Sequence, residues 1–266
     1  MNFYFNYVMQ TTMFQPKGGM DMIAAGFMRQ IGQKVRLNTR VTSVAQGDAG
    51  VTANWTDMAT GETGSASADY CVCTIPTPVL NQLDIQVSAP LKSAISAVQM
   101  GGSVKIGLEM RSRFWEEKYS IYGGHSFTDQ PISLVSYPNN NFFADGPAVL
   151  LGGFANGAGA LALAGMTPEA RIEAALAQGS VFHPEEYRRE FANGASVAWS
   201  RMPWIMACSS RWTDENRAQH YANLVTMDGR IVLAGEHASY YGGWMEGSLL
   251  SALDAIGQVH AKAQTA

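Results

Sequence analysis

The last forty residues hold the side chains and glycines best suited to chemistry. Arg230–Gly235 (RIVLAG) has the composition of a buried strand, and a glycine- and tyrosine-rich connection, 236–243, follows it. A helix is predicted from Glu246 or Gly247 to about His260, with Leu249, Leu250, Leu253 and Ile256 as its apolar stripe. A helix that starts after such a loop presents free backbone N–H groups to an anionic or electron-rich ligand. Units of this kind are also frequent in α/β proteins without a ligand, so the motif alone leaves both interpretations open.

Lys105 is a second candidate for chemistry. It lies in the apolar run 104–108 (VKIGL), where strand alternation places it with Ser103 and Gly107, opposite Val104 and Ile106. Composition alone favours a solvent-facing lysine on an amphipathic strand. A desolvated lysine, in contrast, could transfer protons.

The composition excludes several classes of function. The net charge of −4, the pI near 5.7 and the absence of a Lys/Arg run exclude electrostatic binding of nucleic acid. No apolar stretch reaches the length of a membrane span, and residues 1–13 lack the basic start and cleavage site of a signal peptide. Cys71, Cys73 and Cys208, with the five histidines, lack metal-ligand spacing, so we expect no metal site.

Periodicity and turn residues predict the elements that position these candidates. A helix is expected over 20–31, and strands over 35–44, 50–56 and 68–74 form a three-stranded unit with a hairpin tip near 61–64. Further helices are expected over 90–98, over 167–178 with Thr167 as N-cap, and after Pro184. Further strands are expected over 104–110, 148–154 and 196–199.

The C-terminal motif resembles the closing motif of the flavin-containing amine oxidases, the family of monoamine, polyamine and L-amino-acid oxidases. The match consists of Arg230–His237 (RIVLAGEH) followed by Gly243–Ser248 (GWMEGS). Four more segments resemble the family in the same order: Pro16–Asp21, Val35–Val44, Thr74–Pro76, and Ser103–Lys105 with Phe114–Trp115. The resemblance covers residues 14–262, and segments 121–124 and 131–138 look most like bacterial L-amino-acid oxidases.

The resemblance implies a set of contacts with non-covalent FAD. When a flavin is reduced, negative charge develops at N1 and the C2 carbonyl, and the helix start after Gly243, with Met245 as backbone donor, would stabilise it. Gly235 would allow close approach of the cofactor, and Glu236 would accept from ribityl hydroxyls. The backbone of Val41 would contact the adenine.

The same resemblance assigns residues to the substrate side. Lys105 would lie near flavin N5 and hold a water, and Trp244 would flank the substrate in an apolar slot that disfavours the ammonium form. Trp204 and Ser209 would line the cavity with Trp244. Ser209 departs from the family's second cage tyrosine, which puts a substrate choice like that of monoamine oxidases in doubt. Cys208 matches the flavin-linked cysteine of monoamine oxidases, but we expect no covalent link here.

The family's N-terminal GxGxxG turn for the pyrophosphate is missing from this sequence. We therefore expect a second polypeptide to bring it, or this sequence to be a fragment or a processed piece. The expected fold is α+β / α/β with two interleaved lobes. Residues 1–85 and 226–266 would form a partial FAD-binding lobe, and residues 86–225 a mixed-sheet substrate-binding lobe.

The function implied by the resemblance is oxidative deamination of an amine or L-amino acid, with O2 as oxidant. Three alternatives remain open at this point. One is another flavin oxidoreductase of the same fold, such as an amino-acid monooxygenase or a desaturase. The second is a non-catalytic subunit, and the third is an inactive fragment.

Overall fold

The computed structural model describes residues 14–265, so the interpretation of residues 1–13 lies outside the described residues. The described chain divides into two compact units. The first comprises the residues up to 41 together with 54–64, and the second comprises 42–53 together with 65–265. Both contain helices and strands, in agreement with the expected α+β class.

The helices and strands are numbered here in chain order. The helices are α1 (Asp21–Ile31), α2 (Thr77–Leu80), α3 (Ala89–Ala97), α4 (Phe114–Glu117), α5 (Gly157–Ala164), α6 (Pro168–Gly179), α7 (Asp214–Val225) and α8 (Met245–Gln264). The strands are β1 (Thr39–Gly47), β2 (Gly50–Asp57), β3 (Thr63–Ala68), β4 (Cys71–Cys73), β5 (Asp84–Ile85), β6 (Gln99–Gly101), β7 (Ser103–Met110), β8 (His125–Phe127), β9 (Leu134–Ser136), β10 (Ala148–Asn156), β11 (Phe191–Ala198), β12 (Ser209–Arg211) and β13 (Ile231–Leu233).

In the first unit, α1 confirms the helix predicted over 20–31 and buries none of its described side chains. The predicted hairpin tip is also confirmed. The Asp57 amide donates to the Glu62 carbonyl at 2.7 Å, and the Asp57 carboxylate accepts from the amides of Ala59 and Thr60. Gly61 has φ +76°, which is why a glycine suits this turn.

The predicted three-stranded unit is wrong in its third member. The strand after the hairpin is β3, whereas the segment predicted over 68–74 contributes β4, which pairs in parallel with β13. The strand orders are β3-β2-β1-β5, β11-β7-β10-β9-β8, β12-β6 and β13-β4. Parallel pairing of β4 with β13 is a long-range contact, and local alternation carries no information about such a partner.

An interior strand of the five-stranded sheet, β7, lies between β11 and β10 and confirms the predicted alternation. Its side chains at alternate positions are fully buried in the main core: Val104, Ile106, Leu108 and Met110. Lys105 lies on the opposite face and is exposed, while Ser103 departs from the pattern because it is fully buried. The helix predicted after Pro184 is wrong, since that segment forms successive turns.

The small second core joins β13 to the terminal helix. Val232, Ala234 and Ala255 form it, and Gly247 and Ser251 are the other buried residues of α8. Small side chains at four-residue spacing on one helix face allow the helix axis to approach the strand closely.

The apolar side chains predicted to form the stripe of α8 do not face this core. They point away from it and are 38–70% exposed. We call this surface the α8 stripe: Leu249, Leu250, Leu253 and Ile256.

Within residues 14–265, none of the helices has the length and hydrophobicity needed to cross a membrane. In the same residues, no three His, Cys, Asp or Glu side chains gather where a metal ion could bind.

Candidate functional site

The turn after β13 depends on Gly235. Its φ of +137° is a conformation that residues with a side chain rarely adopt, and an added Cβ would lie 2.6 Å from Cε1 of His237. The Gly235 amide donates to Oγ of Ser251 in α8 at 3.2 Å, and its carbonyl accepts from Ala238 at 3.1 Å. Strand, turn and terminal helix are thus joined by hydrogen bonds at this glycine.

The Glu236 carboxylate fastens the glycine loop to β12. It accepts from the Ser210 amide at 2.9 and 3.1 Å, from the Ser210 hydroxyl at 2.9 Å and from the Gly243 amide at 2.6 Å. These contacts use most of the acceptor capacity of a carboxylate. Within the described residues, the Glu236 carboxylate thus links Ser210 of β12 to Gly243.

The start of α8 is held in place by close packing and has free backbone donors. Helix geometry leaves the amides of Met245, Glu246 and Gly247 without a partner inside the helix, and no side chain of the described residues caps Trp244. Gly247 is buried against the preceding loop: an added Cβ would overlap the Tyr241 carbonyl oxygen. The close approach fixes the direction in which the free amides point.

Several predicted site residues come together at this loop. A Cβ at Gly243 would lie 3.3 Å from the Cβ of Ser209, so β12 contacts the loop directly. Trp244 follows Gly243 and is 50% exposed, and Met245 beside it is also exposed. The exposed Trp244 therefore stands directly beside the free amides at the start of α8.

Lys105 lies on an adjoining segment of chain. Its Nζ is 5.1 Å from the ring centroid of Phe154, its cross-strand partner on β10. Gly101, four residues before Lys105, pairs with Ser209. Four extended residues span at most about 14 Å, so Lys105 can lie no farther than that from Gly101.

The remaining predicted residues occupy separate positions. Trp204 is exposed on the segment between β11 and β12, and the exposed Cys208 donates its amide to the Gly101 carbonyl at 2.7 Å. Val41 lies in β1 and belongs to the first unit. Its predicted backbone contact with adenine stays a prediction.

His237 is a site residue to which the sequence assigned no role. It is 3% exposed, and its Nε2 has no hydrogen-bond partner in the described part of the chain. Burial lowers its pKa, and the nearby Glu236 carboxylate partly opposes this effect. The residue is therefore neutral in the folded protein at pH 7.

We expect a pH dependence of stability from His237. The pKa is lower in the folded than in the unfolded chain, so its contribution to stability is complete above pH 6.5 and is lost as the pH falls below that value. The loss is at most about 1.4 kcal/mol per pH unit. Urea unfolding of the parent and of His237→Leu between pH 7.5 and 5 measures it. A variant whose profile runs parallel to that of the parent would contradict the assignment.

Ser210 and Ser251 are the partners that sequence reasoning missed. Ser251 could have been found, because it continues the small-residue spacing of Gly247 and Ala255 along α8. The pairing of Ser210 with Glu236 depends on a contact 26 residues away, for which the sequence holds no local signal.

Comparison with known proteins identifies the family of the chain. The family model described as "Flavin containing amine oxidoreductase" matches residues 2–260. The chain therefore belongs to the flavin-containing amine oxidoreductase family.

The individual relatives that match this chain include proteins named as L-amino-acid oxidases. The chain is 30% identical over 244 residues to "Putative L-amino-acid oxidase YobN" of Bacillus subtilis (strain 168), covering 90% of this chain and 51% of the relative. It is 28% identical to an L-amino-acid oxidase of Siganus canaliculatus, covering 91% and 46%. The chain thus spans about half the length of the curated relatives it matches.

The fold is shared with solved amine oxidase structures. Cyclohexylamine oxidase from Brevibacterium oxydans IH-35A superposes with a TM-score of 0.77 at 20% identity, covering 93% of this chain and 53% of that one. At that identity the likeness concerns the fold alone.

The described residues fit the flavin that the family name implies. The first turn of α8 offers unpaired amides, whereas the space beside the Cα atoms of Gly235 and Gly243 is occupied by His237 and Ser209. His237 adds a buried, unpartnered nitrogen beside Gly235. Glu236 fits less simply, because the chain's own donors already occupy its carboxylate.

Proposed function

We propose that this chain forms the substrate-facing and C-terminal part of a flavin-dependent oxidase that deaminates an amine or an L-amino acid. The observation that carries the proposal is the start of α8, where uncapped amides follow a loop fastened by Gly235, Glu236 and Gly247. Membership of the flavin-containing amine oxidoreductase family supports this use of the helix start.

The net reaction converts the amine, O2 and water into a keto product, ammonia and hydrogen peroxide. When bound, FAD supplies the electron chemistry, as acceptor of the hydride from the carbon bearing the amine and as donor of electrons to O2. The amides of Met245 and the next two residues would stabilise the negative charge of reduction without a cation. Gly235 would allow the cofactor to approach the backbone.

The substrate side would be formed by Trp244, Ser209 and Trp204. An aromatic slot disfavours the charged ammonium, so Trp244 would help to keep the amine neutral for hydride loss. Ser209 is too small to complete a cage of two aromatic rings. The named L-amino-acid oxidases among the relatives favour an amino acid over a simple amine.

The cofactor would be FAD held without a covalent bond, and the GxGxxG turn would be contributed by a second polypeptide or by another segment of the same one. The sequence offers no such turn, and about half the length of the relatives has no counterpart in it. Cys208 has an exposed free thiol, so the covalent alternative has a direct test. Flavin that stays with the protein after acid precipitation would indicate a covalent link.

The proposal is tested on the native complex purified from its source. We expect a flavin absorption band, and one hydrogen peroxide formed per L-amino acid consumed in a panel of amino acids and amines. Substrate consumption with substoichiometric peroxide would indicate a monooxygenase instead. A complex without flavin, or with flavin and no turnover on the panel, would overturn the proposal in favour of a non-catalytic subunit.

Lys105→Met is expected to lower kcat/KM of that complex roughly tenfold or more, because proton transfer by a positioned side chain contributes on the order of 10². The matched control is Lys92→Met, at an exposed position of α3, which should leave kcat/KM unchanged. Steady-state peroxide assays measure both. Full activity of Lys105→Met would remove the lysine from the mechanism.

A further inference from the structure

Strand β10 contains a β-bulge close to the point where it pairs with Lys105. Leu150 and Ala155 of this strand are both fully buried in the main core. Residues an odd number apart on a regular strand lie on opposite faces, yet these two, five apart, share one face. The register of β10 against β7 explains this, because it shifts across Gly152 and so inserts one extra residue.

The bulge determines the face on which Phe154 lies. Without the extra residue, Phe154 would lie four residues from Leu150 on a regular strand and would point into the core with it. With the bulge, Phe154 pairs with Lys105, is half-buried and lies on the face opposite the core. Bulges are frequent next to active sites, where they re-aim a side chain.

Two glycines allow the bulge to form. A Cβ at Gly152 would overlap Cδ1 of the fully buried Leu108, and a Cβ at Gly153 would lie 3.3 Å from the Cβ of Ile132. The residue after them is held by a hydrogen bond, since the Phe154 amide donates to the Ile132 carbonyl at 3.1 Å. Packing and hydrogen bonding therefore fix the backbone from which the Phe154 ring projects.

The Phe154 ring is the partner of the Lys105 ammonium. Nζ lies 5.1 Å from the ring centroid, within the range of cation–π attraction. In the described part of the chain, the ammonium has no hydrogen bond and no ion pair. A lysine has a flexible four-carbon stem, so the ring is the contact that gives the ammonium a direction.

We propose that Phe154 positions the Lys105 ammonium, and that the bulge at Gly152 and Gly153 brings the ring to the lysine. The inference rests on the proposed function, because that function uses Lys105. A reacting group that is displaced by about 1 Å can lose much of its effect on the rate. Removal of the ring should therefore lower the rate only in a protein that still has the lysine.

Phe154→Leu in the native complex removes the aromatic face while it keeps an apolar side chain. We expect kcat/KM to fall about three- to tenfold, in line with the strength of cation–π contacts, and Phe154→Tyr, which keeps the ring, to stay within about twofold of the parent. In the Lys105→Met background, Phe154→Leu should cause no further loss. The matched control is Phe127→Leu, at a 68% exposed position of β8, which should leave kcat/KM unchanged.

Two kinetic results would overturn the proposal. One is full activity of Phe154→Leu. The other is an equal loss with and without Lys105, which would indicate that the ring acts on the substrate or on folding and not through the lysine.

A readout without turnover separates this inference from the proposed function. Reductive methylation with ¹³C-formaldehyde labels the lysines of the complex, and the signal of Lys105 is the one missing from Lys105→Met. The ring current should shift this signal upfield in the parent and in Phe154→Tyr, and the shift should disappear in Phe154→Leu. A shifted signal in a complex that oxidises no amine would keep the positioning role and refute the oxidase. An unshifted signal in an active oxidase would do the reverse.

Discussion

Gly247→Ala is expected to lower the free energy of unfolding by about 3 kcal/mol and to abolish flavin capture by the complex. An added Cβ would overlap the Tyr241 carbonyl oxygen and lie 2.9 Å from Oγ of Ser239. Both atoms belong to the short connection that sets the start of α8, so the connection must move. Overpacking of this kind typically costs about 1–3 kcal/mol, and backbone contacts lie at the upper end. Urea unfolding and the flavin absorbance of the purified complex measure the two effects.

Gly257→Ala in the same helix is the matched control. A Cβ there meets no atom within 4 Å. Alanine should therefore stabilise the protein by up to about 1 kcal/mol through helix propensity. If Gly247→Ala were as stable as Gly257→Ala, the close approach of α8 to the loop would not position the site.

The strand, loop and helix that carry the proposed site could be predicted from local sequence. The glycines 229 and 235 mark the turns around β13, and the strand and helix lie within a few residues of their predicted bounds. The face of β7 on which Lys105 lies could also be predicted from local sequence. When one face of a strand is buried, the alternation of apolar and polar residues determines which side chains lie on the other face. Each of these features depends on neighbours in the chain.

The inward face of α8 could not be predicted in the same way. Hydrophobic periodicity ranks side chains by size and therefore selects the α8 stripe. Packing against β13 instead selects small residues, because Gly247, Ser251 and Ala255 let the helix approach the strand. A prediction based on side-chain size therefore selects the exposed face of α8 and misses the face that packs on β13.

Glu236 illustrates the other limit, because its partners lie on separate elements. The sequence motif indicates a carboxylate that binds the cofactor, whereas the structure gives that carboxylate to Ser210 and Gly243. The two roles are compatible if Glu236 acts mainly by holding the Gly243 amide and β12 in register. The positioning role can then be measured without a cofactor, as the contribution of Glu236 to the free energy of unfolding.

Glu236→Ala is expected to destabilise the protein by about 2–4 kcal/mol. The substitution removes the acceptor of two backbone amides and one hydroxyl in a half-buried setting, and hydrogen bonds to a charged group contribute about 1.5–3 kcal/mol each, not fully additively. Glu236→Gln keeps one carbonyl acceptor and should lose about half as much. Urea unfolding of the three proteins provides the measurement.

Glu246→Ala, ten residues further along at an exposed position of the first turn of α8, is the matched control. It removes the same charge but should cost less than about 1 kcal/mol, the usual size of a helix-dipole effect. The flavin affinity of the complex then distinguishes a Glu236 that positions the loop from a Glu236 that contacts the cofactor directly. If Glu236 positions the loop, Glu236→Gln should weaken flavin binding in proportion to its loss of stability. Unchanged stability with a large loss of flavin affinity would instead assign the carboxylate to the cofactor and contradict the positioning role.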